Sequence, residues 1–225
     1  MMAFHLSWDL VYVGVLRISM SSGPWPWFSR CIATTFLLLA GISLVLSDAR
    51  TGHKAGFRKY LRRGLVVFGF GMVITLITYL SLGHGFVVFG ILHLIGFSIA
   101  AAYPLLPYRR RTISLLAGAA IIGVGIYANR QIVSHPWLIW LGISQRGRPM
   151  VDYYPILPWF GMALVGLFAG HALYPDGRRR FALPNLSGVW PIRALSYLGQ
   201  HALLIYLVHQ PVLLGIVYVW DWLAR

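Results

Sequence analysis

Apolar residues run through this chain in long blocks with short polar breaks, and most blocks are apolar on every face rather than along one stripe. A helix of that kind is buried either in a large core or in a membrane. Blocks of about 17–25 residues can cross roughly 30 Å of hydrocarbon as helices. Seven such blocks predict seven transmembrane spans, at residues 1–19, 29–47, 64–81, 86–106, 112–128, 155–174 and 196–220. The breaks carry ordinary turn chemistry: SSGPWPW at 21–27, SLGHG at 81–85 and YPDGRRR at 174–180. The expected fold class is all-α, a polytopic helical membrane protein forming a single transmembrane domain over residues 1–225.

Composition agrees. Of the 225 residues 58% are hydrophobic and only 11% charged, and the mean hydropathy is +0.71. The net charge of +14 would suit nucleic acid if it were spread over a face, but it is gathered in alternate loops. Thirteen of the 19 Lys and Arg residues fall in loops 48–64, 107–112 and 175–195. Basic loops stay cytoplasmic, so the pattern predicts an N-in, C-out topology and no nucleic-acid partner. Trp25, Trp27, Trp137, Trp140, Trp159, Trp220 and Trp222 fall near the predicted outer helix ends, as an interfacial aromatic belt would. The outer connection 129–154 is long, and HPWLIWLGI within it suits a short segment dipping back. Cys31 is the single cysteine, so no intrachain disulfide exists.

Polar residues inside apolar runs then become the candidates for chemistry, since an ionisable side chain at a helix centre costs about 2.5–3.5 kcal/mol on insertion scales. His5 and Asp9 are spaced i, i+4 and share a helix face. An Asp so placed fixes a histidine tautomer and raises the basicity of its other nitrogen, which suits a general base or acyl-accepting nucleophile. The alternative is a histidine at the polar edge of a helix start. His93 lies within FGILHLIG, where an interhelical hydrogen bond competes with catalysis. His209 and Gln210 precede Pro211, which frees the carbonyl of Leu207. Gln210 either satisfies that backbone or faces a ligand. Asp152, just before the sixth block, suits either a helix cap or a substrate contact. Gln200 and His201, at the inner end of the seventh, suit a cytosolic ligand or a side chain reaching for the interface. His53, His84, His135 and His171 sit in loops or at helix ends and are expected to have no function. The glycine pair in GFGMVITL suits close helix packing. No phosphate loop, dinucleotide fingerprint, HExxH or CxxC pattern is present, and the sparse Cys and unpaired His argue against a metal.

FHLSWDL, FLLLAGISLVLS, FGILHLIG, DYYPILPWFG and LGQHALLIYLVHQP occur in an order that resembles prokaryotic members of the heparan-alpha-glucosaminide N-acetyltransferase catalytic-domain family. That family is similar in turn to the wider transmembrane acyltransferase superfamily. The resemblance extends from about residue 4 to 215. One departure is clear: the resemblance implies an Asp and an Arg-Gly pair ahead of the His5 position, and the sequence given opens at Met1.

The resemblance implies acyl transfer across a prokaryotic cell (inner) membrane, from cytosolic acetyl-CoA as co-substrate to a hydroxyl or amine of a sugar or glycan on the far side. It matches His5, His93, Asp152 and His209 to family positions; together with the residues read above, the expected catalytic set is His5, Asp9, His93 and His209, with Asp152 and Gln210 at the substrate. Such transfer needs a base, an oxyanion donor and exclusion of water. His5 with Asp9 is the expected base or acyl carrier, with His93, His209 or Gln210 as oxyanion donor. Arg58, Lys59, Arg62 and Arg63 suit the CoA phosphates, or else mark only topology and anionic-lipid contact. No metal is expected, the bilayer is the obligate partner, and a homo-oligomer is compatible. The competing class is a multi-pass transporter or lipid-binding protein that uses the same polar residues without acyl transfer.

Overall fold

The computed structural model describes residues 1–82, 85–107, 110–130, 136–143, 152–182, 184 and 186–224. His84, Arg109, His135, Arg146, Arg148 and Arg225, which enter the loop and charge pattern above, lie outside the described residues. Every regular element among the described residues is helical. In chain order these are α1 (Met2–Tyr12), α2 (Trp25–Ala49), α3 (Phe57–Leu82), α4 (Ile91–Ala101), α5 (Arg111–Ala128), α6 (Ile156–Leu173), α7 (Trp190–Gln200) and α8 (Ala202–Ala224). Short 3-10 turns occupy Tyr103–Leu105, Pro136–Leu141 and Pro175–Gly177. The chain divides into two compact units, one of residues 1–32 and 182–225, the other of residues 33–181.

Among the described residues five helices, α2, α3, α5, α6 and α8, are long and apolar enough to cross a membrane. Two of the seven expected spans come out shorter. The first stops at Tyr12 because Gly14 adopts a left-handed φ of 89°. The Val15 N–H then reaches back to the Leu10 carbonyl (2.9 Å) and the Gly14 N–H to that of Val11 (3.1 Å). That pair of bonds satisfies the last carbonyls and closes the helix. The fourth begins only after Gly90 and changes to a 3-10 turn at Tyr103, with Pro104 in it. Two further boundaries differ. α3 starts at Phe57, well before residue 64, because a hydropathy window sees the hydrocarbon part of a helix and Arg and Lys are good helix formers outside it. The seventh block is divided at His201 into α7 and α8.

Within the 33–181 unit, helices meet through reciprocal glycines. A Cβ added at Gly64 of α3 would come within 2.6 Å of the Gly96 carbonyl of α4, and one at Gly96 within 2.7 Å of the Gly64 carbonyl. Gly118 of α5 and Gly161 of α6 face each other's carbonyls at 2.9 and 2.6 Å in the same way. Gly166 of α6 lies against the backbone of Leu38, and Gly41 of α2 against that of Leu167. With no hydrophobic drive between helices in lipid, such close backbone contact is a principal source of association. Leu37, Leu94, Leu164 and Leu167 fill the interior, while Leu65, Met72, Leu76 and Leu80 of α3 are exposed, as side chains that face lipid should be.

Replacing Gly96 with Leu should force α3 and α4 apart at a cost of about 1–3 kcal/mol. Gly69, which has open space around it, should accept Leu without loss. Thermal unfolding in detergent compares the two variants, and equal midpoints would show that the glycine seam is not what joins these helices.

Candidate functional site

In the unit formed by the two chain ends, α1 packs against α8. Their polar residues meet there. Asp9 is fully buried and His209 is 6% exposed. The Gln210 Nε2 donates to Asp9 Oδ1 at 2.6 Å. The rings of His5 and His209 lie edge to face, with centroids 4.8 Å apart. His5, Asp9, His209 and Gln210 therefore come together, across a sequence gap of about 200 residues. Their pairing differs from the expectation in two respects. Asp9 is met from α8 by Gln210 rather than from its own helix by His5, since Oδ1 is engaged and Oδ2 has no partner. Gln210 is likewise directed at Asp9 rather than at the backbone carbonyl that Pro211 frees.

The tautomer of His209 follows from its bond. Its Nδ1 lies 2.6 Å from the Tyr206 carbonyl oxygen, which can only accept. Nδ1 therefore carries the proton, and in the neutral ring Nε2 presents a lone pair. Four buried side-chain polar atoms among the described residues have no hydrogen-bond partner: Asp9 Oδ2, His209 Nε2, Gln210 Oε1 and Ser98 Oγ. The first three belong to this one cluster, and all three are acceptors. Such a set suits a ligand that brings N–H or O–H donors.

In the 33–181 unit, His93 and Asp152 meet at the start of α4. His93 is 1% exposed, and its Nδ1 accepts from the Gly90 N–H at 3.1 Å. The proton of the neutral ring is then on Nε2, which donates to Thr75 Oγ1 at 3.3 Å. Phe68 stands edge-on to the ring at 5.0 Å. Gly71 makes the space, because a Cβ there would come within 2.9 Å of Nδ1. Asp152 Oδ2 accepts the Ile91 N–H at 3.0 Å, and the Tyr154 N–H bonds to the Phe89 carbonyl at 3.0 Å. Both first N–H groups of α4 are thus satisfied by side chains. The cap-like acid sits on α4, not on α6, which it precedes in sequence. Burial pushes the Asp152 pKa up to about 6, and the bond from Ile91 holds it from going higher.

Arg58, Lys59, Arg62 and Arg63 are exposed on the first two turns of α3. Their i, i+4 spacing gathers them on one side. Beside them lies a cluster that the sequence reading missed. Asp48, at the end of α2, is 7% exposed. It accepts from Tyr60 Oη at 2.8 Å and from His53 Nδ1 at 2.7 Å. One signal was available: the chain has only five acidic residues, so an acid closing an apolar run was worth pursuing. Among the described residues, no group of three or more His, Cys, Asp or Glu is placed to hold a metal.

The raised Asp152 pKa has a definite sign. The folded state holds the proton more tightly than the unfolded chain, so this contribution to stability is full at low pH and is lost as pH rises through about 6. Thermal midpoints measured from about pH 5 to 7.5 should therefore fall more steeply for the native chain than for Asp152→Asn, which keeps an oxygen for Ile91. Parallel profiles would mean that Asp152 does not titrate in this range.

Residues 1–211 match the family described as heparan-alpha-glucosaminide N-acetyltransferase, catalytic. No curated protein and no solved structure matches the chain. The matched stretch opens with α1 and closes at Pro211, directly after His209 and Gln210, so it takes in the whole α1–α8 cluster. With five membrane-length helices and a match over nearly its full length, the chain belongs to the heparan-alpha-glucosaminide N-acetyltransferase catalytic family of membrane acyltransferases.

Proposed function

We propose that this protein transfers an acetyl group from cytosolic acetyl-CoA to a hydroxyl or amine of a sugar or glycan on the opposite side of a prokaryotic inner membrane, with chemistry at the α1–α8 cluster. The observation that carries the reading is the buried set of three acceptors without partners, Asp9 Oδ2, His209 Nε2 and Gln210 Oε1. Asp9 and Gln210 hold the donor groups of the incoming nucleophile. His209 Nε2 removes its proton as the nucleophile attacks the thioester carbonyl. The tetrahedral intermediate then collapses, the C–S bond breaks, and the CoA thiolate takes up the proton. His5, edge-on to His209, supplies an imidazole N–H to the developing oxyanion. The roles expected for the two histidines are thereby exchanged.

His93 and Asp152 act in this reading as positioning residues, because their hydrogen bonds serve the start of α4. The basic face of Arg58, Lys59, Arg62 and Arg63 receives the CoA phosphates. We place that face in the cytosol with the other basic ends, at the C-terminus of α6 and the N-terminus of α5. The chain then leaves α3 outside and enters α5 inside. Residues 85–106, with α4 and its 3-10 turn, must carry it back across.

His209→Ala should lower acetyl-CoA turnover by about 10²–10⁴-fold with an unchanged thermal midpoint. Asp152→Asn should lower it far less. The measurement is release of free CoA thiol by purified protein in proteoliposomes supplied with amino-sugar or glycan acceptors. Unaltered turnover in His209→Ala would refute the assignment of the base, and absence of any acetyl-CoA turnover by the native chain would favour the transporter class.

A further inference from the structure

The seventh apolar block was expected to be one span, and its division at His201 leaves α7 in need of an explanation. α7 has 11 residues and none is buried. At 1.5 Å per residue it is about 16 Å long, too short to cross hydrocarbon of roughly 30 Å. α8, with 23 residues, reaches about 34 Å and crosses without help. At 100° per residue, Trp190, Ala194, Leu195 and Leu198 fall on one side of α7, and Arg193, Ser196 and Gln200 on the other. Among the described residues none covers the apolar side: Trp190 is 72% exposed, Leu195 64% and Leu198 51%.

The corner to α8 shows where that side must lie. A single residue, His201, joins the two helices, with φ −102° and ψ 15°. Its backbone N–H and its Nδ1 both donate to the Tyr197 carbonyl, at 3.2 and 2.9 Å, and its ring lies 4.3 Å from that of Tyr197. Its own carbonyl accepts the Ile205 N–H at 3.0 Å, which starts α8. α7 thus ends where a membrane span begins, with no linker that could carry it away. In water its apolar side would stay hydrated; in hydrocarbon Arg193, Ser196 and Gln200 would lack partners. Only the boundary between headgroups and acyl chains suits both sides.

We propose that α7 lies in the membrane interface, with Trp190, Leu195 and Leu198 sunk among the upper acyl chains and Arg193 among lipid phosphates. Its partner is the lipid surface itself. Because the His201 corner is fixed, α7 also sets the depth at which α8 enters. His209 and Gln210 follow seven and eight residues after Ala202, about 11–12 Å along the helix axis.

The test places single nitroxide labels at Leu195, Leu198, Ser196 and Gln200 of the full chain, with Cys31→Ser to remove the native thiol, in lipid nanodiscs. Collision with oxygen, which concentrates in lipid, is compared with collision with a water-soluble nickel chelate. The ratio of oxygen to nickel collision should be several-fold higher at 195 and 198 than at 196 and 200. Equal, nickel-dominated ratios at all four sites would put α7 in water and overturn the proposal. Equal, oxygen-dominated ratios would put it within the hydrocarbon. Immobile labels at 195 and 198 that meet neither reagent would mean that protein covers the face. Thermal midpoints of the labelled chains verify folding, and Leu198→Arg without a label offers a second measure: it should lower the midpoint in nanodiscs but not in detergent, and an equal effect in both would also count against a lipid contact.

Discussion

A polar group inside a bilayer has no water in reserve, so whatever it lacks from the protein it lacks altogether. Most buried polar side chains here obey that constraint by reaching backbone or side chains nearby. His93 serves the start of α4 and Thr75, Asp48 takes Tyr60 and His53, and His171 donates to the Leu106 carbonyl at 2.9 Å. Departures from such a rule carry more information than its many instances. Among the described residues, three of the four buried atoms without a partner lie on adjoining residues of α1 and α8, and a cluster of one chemical type is not what scattered packing defects produce.

The same constraint governs backbone. Where helices meet closely they do so at glycines, so that carbonyls face Cα hydrogens and no side chain intervenes. Where side chains must be admitted, glycine again makes the room: Gly71 for the His93 ring and Gly90 for the Asp152 carboxylate. Helix ends are closed as carefully. α1 ends through Gly14, α4 begins on His93 and Asp152, and α7 ends on both N–H groups of His201.

What could be read in the sequence was what depends on local hydropathy. The all-helical membrane class and the positions of α2, α3, α5, α6 and α8 follow from apolar blocks alone, to within a few residues at most ends. What could not be read depends on geometry within a block or on contacts between distant ones. Nothing in the apolarity of residues 1–19 marks Gly14 as left-handed, and nothing in LGQHALLIYL marks His201 as a corner. His5, Asp9, His209 and Gln210 were legible as members of one candidate site, because they are polar residues in greasy surroundings. Which of them bond to which was not, because Asp9 has a candidate partner four residues away and uses one 201 residues away.

The choice of glutamine at 210 then follows from what each alternative would do to Asp9. An arginine would fork onto both carboxylate oxygens and cancel the charge. An apolar residue would leave a buried carboxylate with no partner, which is strongly unfavourable. Glutamine does neither. One of its amide hydrogens holds Oδ1, Oδ2 stays open, and its own Oε1 is added to the same face. The bond that joins α1 to α8 is thus the bond that leaves two acceptors, Asp9 Oδ2 and Gln210 Oε1, unfilled beside His209 Nε2. In this protein, docking α1 against α8 and gathering these acceptors are one event.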